Sequence, residues 1–163
     1  MSSAAKVLQA LRDQGKFLVV AESLTGGLLT AEFTGIAGAS DVLLAGIVAY
    51  ETKLKHELLG VSNQLLENQG PVDPEVAAQM AEGLRTKISN KSGLEVDQIV
   101  AISTTGVAGP ATQGDKPVGE LYIAISNLGS TKVFAHQLAG DRAEIQKSAV
   151  LLGVGHLWEE ITG

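Results

Sequence analysis

Ser23 stands in Ala21-Glu22-Ser23-Leu24-Thr25-Gly26-Gly27, directly after the apolar run Phe17-Leu18-Val19-Val20. Leu28, Leu29 and Ala31 then resume at helical spacing. The segment reads as a buried strand, a tight turn and the start of a helix. A serine at such a junction lies where backbone N–H groups are unpaired and the helix dipole favours negative charge. That geometry can cradle a phosphate, or stabilise an alkoxide and a developing oxyanion. It also describes a plain helix start, with Ser23 as the cap and the glycines allowing close packing.

Three further clusters carry groups of the right type. Tyr50 ends a second apolar run, and Lys53 and Lys55 follow it. A lysine held neutral by burial can deprotonate a nearby serine. On a solvated face, Lys55 would instead pair with Glu51 at i,i+4. A glycine loop runs from Thr104-Thr105-Gly106-Val107-Ala108-Gly109-Pro110 to Lys116-Pro117-Val118-Gly119 and offers many backbone donors. It fits neither the Walker nor the dinucleotide glycine pattern. Finally, Asp141 and Glu144 form a capping-box pattern, with Arg142 between them in the first helical turn. The dipole disfavours a cation there, so Arg142 either meets an anion or points to solvent.

The elements that must position these groups follow from pattern. A first helix spans Ala4–Asp13, strands fall at 17–21 and Val42–Tyr50, and a short helix Glu51–Leu59 is stopped by Gly60. Asp73 caps a helix Pro74–Asn90. Gln98–Thr104 is a third strand. Leu121–Asn127 and Lys132–Leu138 form a hairpin turning around Leu128-Gly129-Ser130, and an amphipathic helix from Asp141 to Glu160 closes the chain. Early alternation of strand and helix with a late hairpin implies an α/β domain of three layers (α/β/α) with a mixed sheet.

Composition bounds the chemistry. At 163 residues the chain is expected to be one domain over 1–163, burying roughly 70% of its unfolded surface. It is 45% hydrophobic and 18% charged, which excludes a disordered chain. A net charge of −6 with 4% aromatic residues argues against a nucleic-acid surface. With no cysteine there is no thiolate nucleophile and no disulfide. No run is long enough for a membrane span and no signal peptide is visible, so a cytoplasmic protein is expected. His56, His136 and His156 lack ligand-like spacing, so no metal is expected.

Together the four clusters resemble the CinA C-terminal domain family in order and spacing, from about residue 4 to 160. They are Ala21–Gly27, Val48-Ala49-Tyr50 with Lys55 and Leu58-Leu59-Gly60-Val61, the Thr105–Pro110 and Lys116–Gly119 segments, and Gly140-Asp141-Arg142. The resemblance implies a three-layer α/β/α fold, a homodimer or higher homo-oligomer, and a cofactor-free amidase. That amidase would hydrolyse the carboxamide of nicotinamide mononucleotide (NMN) to nicotinate mononucleotide and ammonia, in pyridine nucleotide recycling. It further implies Ser23 as nucleophile, with Tyr50 and Lys55 as its activating partners. Thr25, Gly26 and Gly27 would bind the substrate oxyanion through backbone N–H groups, and Thr105, Gly106, Gly109 and Arg142 would line the same site.

The chain departs from the family pattern at several points. Leu24 stands where cysteine is common. Glu51-Thr52 replaces a frequent Ser-Asn, and Ala111-Thr112-Gln113 is poorer in glycine than usual. Gln146 stands where arginine is frequent. The resemblance covers only the C-terminal domain of full-length CinA proteins, so a stand-alone form is expected. The competing class is a non-catalytic nucleotide-binding or protein-interaction module, which would have no need of an activated serine.

Overall fold

The computed structural model describes residues 3–163; the first two residues of the expected domain lie outside that range. Helix α1 (Ser3–Asp13) buries Ala4, Val7, Leu8 and Leu11 on one face, as their spacing requires. Strand β1 (Phe17–Glu22) follows, then α2 (Leu28–Thr34), the edge strand β2 (Leu43–Val48) and α3 (Thr52–Leu59). Two helices, α4 (Asn63–Gln69) and α5 (Pro74–Ser92), lead into β3 (Ile99–Gly106). Strands β4 (Glu120–Asn127) and β5 (Ser130–Gln137) form the hairpin, and α6 (Arg142–Thr162) ends the chain.

The sheet order is β2-β1-β3-β4-β5. The first three strands are parallel and the last two antiparallel, so the sheet is mixed. Side chains alternate across β1 and β3. Leu18, Val20, Val100 and Ile102 pack with α1, α2 and α6, while Val19, Ala21, Ile99 and Ala101 pack with α5 on the other face. The fold is therefore three-layered, as the alternation implies. The hairpin turn is tight because Leu128 (φ 49°) and Gly129 (φ 73°) both take left-handed backbone.

Most expected boundaries hold to within two residues. Asp73 caps α5 through the amides of Glu75 and Val76, with Pro74 at its first position. The Asp141/Glu144 capping box is formed in both directions. Helix α4 was not anticipated, because Asn63–Gln69 is short and polar. Ser23 is not a helix cap: α2 begins at Leu28, behind Gly27, whose φ of 101° suits glycine.

Helix α3 sits on α5 with main chain against main chain. A Cβ at Gly83 would stand 1.6 Å from the Leu59 carbonyl oxygen, so the helices meet at a point where no side chain fits. Lys87 of α5 donates to the Leu58 carbonyl and satisfies one of the free acceptors at the end of α3. Among the described residues, no helix is long and apolar enough to cross a membrane.

Candidate active site

The connection from β1 leads through α2 to β2 on one side, while β3 lies on the other side of β1. The carboxyl ends of β1 and β3 thus flank the switch point of the parallel strands, where ligands bind in open α/β sheets. A cavity of about 240 Å³ lies there, lined by Ser23, Tyr50, Lys55, Thr105, Gly106 and Arg142 among others. Its volume is just below the usual range for small-molecule sites, which suits entry by one end of a larger ligand.

Lys55 is the central group. Its Nζ lies 2.8 Å from Ser23 Oγ and 2.7 Å from the Ala49 carbonyl oxygen, and the residue is 1% exposed. No carboxylate is paired with it. The solvated i,i+4 pair with Glu51 does not form, because α3 turns Lys55 inward while Glu51 stays at the exposed N-cap. Burial penalises the ammonium and brings the Lys55 pKa down to about 8. Lys53, two residues earlier, is exposed.

Tyr50 enters the cavity from another side. The residue is 58% exposed, and its hydroxyl accepts a hydrogen bond from Arg142 Nη2 at 2.6 Å. Arg142 Nη1 donates to the Gly109 carbonyl at 2.6 Å. Lysine and serine are in direct contact, without the phenol between them. The side chain of Arg142, despite its place against the helix dipole, is held by neutral acceptors on the cavity wall.

Glu22 was passed over in the sequence, and it shapes the turn after β1. Its carboxylate is fully buried and accepts from Gly27 N (3.0 Å), Leu29 N (3.0 Å), Thr30 N (2.8 Å) and Thr30 Oγ1 (2.6 Å). It thus takes the start of α2, where an external anion was anticipated. Gly27 N is spent on Glu22 and Gly26 N on the Ser23 carbonyl. Thr25 is fully buried, with its hydroxyl 2.8 Å from that of Thr104. Thr25, Gly26 and Gly27, expected as donors, are not among the residues that line the cavity. An acidic residue ending an otherwise apolar strand was the available signal for Glu22.

Three consecutive hydroxyls at the end of β3 fasten the surroundings. Ser103 Oγ donates to Ala77 of α5 at 2.6 Å, Thr104 meets Thr25, and Thr105 Oγ1 donates to the Pro71 carbonyl at 2.6 Å. Thr105 lines the cavity with its hydroxyl already engaged. Beyond Gly106, the amides of Ala108, Gly109, Ala111 and Thr112 make no hydrogen bond to the described residues, and these four residues line the cavity. The glycine-poor stretch 111–113 therefore reaches the site. Gln146 of α6 donates to the Leu24 carbonyl at 2.8 Å. Among the described residues, no three His, Cys, Asp or Glu side chains gather as a metal site.

Comparison with known proteins gives a consistent result. The profile of the CinA C-terminal domain matches residues 1–161. A putative competence-damage inducible protein of Bacillus pumilus (strain SAFR-032) is 40% identical over 149 residues, 91% of this chain and 34% of that protein. A CinA-like protein of Frankia casuarinae is 42% identical over 145 residues, 89% of this chain and 32% of that one. The chain thus spans about a third of the length of these curated relatives. Among solved structures, a competence-damaged protein (CinA) superfamily protein from Enterobacter cloacae superposes with a TM-score of 0.90 at 26% identity, covering 98% of this chain and 90% of that one. The competence/damage inducible protein CihA from Agrobacterium tumefaciens gives 0.88 at 29% identity, covering 99% and 94%.

Proposed function

The chain belongs to the CinA C-terminal domain family, and on that premise we propose that it is a serine amidase that hydrolyses NMN to nicotinate mononucleotide and ammonia. The observation that carries the reading is the 2.8 Å contact between Ser23 Oγ and a buried Lys55 that has no carboxylate partner. A lysine kept for charge pairing would have a counterion. One poised to lose its proton gains from having none.

The pyridinium ring withdraws electrons from the NMN carboxamide and makes its carbon electrophilic. Ser23 Oγ attacks that carbon while neutral Lys55 accepts the hydroxyl proton directly. The tetrahedral intermediate collapses as Lys55 returns the proton to the leaving nitrogen, so ammonia departs and a nicotinoyl ester remains on Ser23. Water then attacks the ester, again losing its proton to Lys55, and the acid is released with Ser23 restored. The unpaired amides of Ala108, Gly109, Ala111 and Thr112 and the Arg142 guanidinium form the polar end of the cavity, suited to the ribose phosphate.

Purified protein incubated with NMN and no added metal is expected to release ammonia and nicotinate mononucleotide in equal amounts. Binding of NMN without release would instead favour a nucleotide-binding module. The reading also places the protein in pyridine nucleotide recycling.

A further inference from the structure

Glu22 is a fully buried carboxylate directly before Ser23, and the chemistry proposed above does not use it. Its two oxygens divide four donors evenly. Oε1 takes Thr30 N and Thr30 Oγ1, while Oε2 takes Gly27 N and Leu29 N. Thr30 can bring its hydroxyl in because it packs on Gly46 of β2, where a Cβ would overlap Oγ1. The Gly27 contact reaches back to Ser23. A peptide is planar, so the Gly27 N–H moves with the Gly26 carbonyl. The peptide leaving Gly26 is therefore held by the Glu22 carboxylate, and the Gly26 N–H itself donates to the Ser23 carbonyl at 3.1 Å. That bond fixes the peptide leaving Ser23. The peptide entering Ser23 is fixed by Ala49 N, which donates to the Glu22 carbonyl at 2.9 Å. With both flanking peptides held, the Ser23 Cα–Cβ bond has one direction. On the other side of Ala49, its carbonyl accepts from Lys55 Nζ at 2.7 Å.

We propose that Glu22 is the positioning residue of the nucleophile: through Gly27 and Gly26 its carboxylate sets where Ser23 Oγ meets Lys55 Nζ. The inference rests on the serine-nucleophile part of the function proposed above. Glu22 is no second base, because a carboxylate offers about four acceptor sites and donors already fill them. Neither Ser23 Oγ nor Lys55 Nζ hydrogen-bonds to it. Its effect is geometric. Attack requires Oγ close to the carboxamide carbon while its proton stays on the line to Lys55, and a misplacement of about 1 Å costs on the order of a hundredfold in rate.

The test follows covalent labelling of Ser23 by a fluorophosphonate, read by intact mass well below the melting temperature, alongside steady-state turnover of NMN. Glu22→Gln keeps the shape but leaves one acceptor oxygen and turns an NH2 group on two of the donors. Thr30→Val removes the hydroxyl at nearly constant volume, and Thr30→Ser restores it. Folded Glu22→Gln is expected to label about ten- to a hundredfold more slowly than wild type, with kcat falling in proportion and KM little changed. Thr30→Val should move the same way by about three- to tenfold, and Thr30→Ser should recover most of that loss. A purely structural carboxylate would lower the melting temperature of both variants and leave labelling of the folded protein unchanged. That result, a loss confined to KM, or a Ser variant as slow as Val would each overturn the proposal. Should Glu22→Gln fail to fold, the Thr30 pair decides by the same criteria. Wild-type protein that labels at Ser23 but releases no ammonia from NMN would remove the substrate assignment, and the labelling series would still decide the role of Glu22. Wild-type protein that fails to label would remove both.

Discussion

Arg142 Nη2 donates to the Tyr50 hydroxyl at 2.6 Å, joining the first residue of α6 to the chain just beyond β2. The phenol is thereby tied to the cavity wall, and no hydrogen bond joins it to Lys55 or Ser23. Tyr50→Phe, which loses the hydroxyl alone, should raise KM for NMN more than it lowers kcat. A kcat loss of many decades with unchanged KM would return Tyr50 to the proton path.

The same geometry bears on Arg142→Ala. A hydrogen bond to a charged group contributes about 1.5–3 kcal/mol, so kcat/KM for NMN should fall roughly 10- to 150-fold, mostly through KM. Nicotinamide riboside, which lacks the phosphate, supplies the control. Wild type should use it poorly and the variant should handicap it little further. Equal damage to both substrates would assign Arg142 to holding Tyr50 and Gly109 in place.

Ser23→Ala should keep the fold, because Ser23 Oγ makes no hydrogen bond other than the one from Lys55. Turnover should be nearly abolished, and rapid quench of wild type should trap a nicotinoyl adduct on Ser23 if deacylation is the slower step. A variant keeping more than about a tenth of the rate is incompatible with nucleophilic catalysis.

The two lysines should separate cleanly. Lys55→Arg retains a charge that cannot be lost near neutral pH and should be almost inactive. Lys53→Arg changes an exposed side chain and should be nearly silent. The reverse pattern would show that the base has been misassigned.

Activity and stability should both follow the Lys55 proton. With the pKa near 8, kcat/KM should rise with pH to a plateau above that value, about one molecule in ten being competent at pH 7. The folded protein binds this proton less tightly than the unfolded chain, whose value is near 10.5. Unfolding therefore takes up a proton between about pH 8 and 10.5, and stability rises with pH across that window. The span corresponds to about 3 kcal/mol, absent in Lys55→Met. Thermal melts of the two proteins at pH 7.5 and about pH 10 would show the difference, and parallel pH dependence would contradict it.

The features legible in the sequence were those set by local chemistry. Asp73-Pro74, Gly60, the Asp141/Glu144 box and the hairpin turn around Leu128-Gly129 each act within a few positions of themselves. The features hidden from it depend on segments meeting. Lys55 looked like half of a surface ion pair because nothing local says which way α3 faces. Glu22 drew no role from the sequence, since its partners are amides that arrive only when α2 folds back over it. Gln146 could be placed on α6 but not against Leu24. Ser23 was also compatible with a helix cap until α2 was seen to begin at Leu28.

Gly83 has a consequence beyond packing. Helix α3 carries Lys55, and it is seated on α5 at the one place where a Cβ would overlap the Leu59 carbonyl. That contact sets how closely α3 can approach α5, and a shift of α3 there would carry Lys55 with it. Gly83→Ala would lift the helix without touching any residue of the cavity. Proton transfer depends steeply on donor–acceptor separation, so Gly83→Ala should slow NMN turnover as well as lower the melting temperature, a remote dial on the proposed nucleophile.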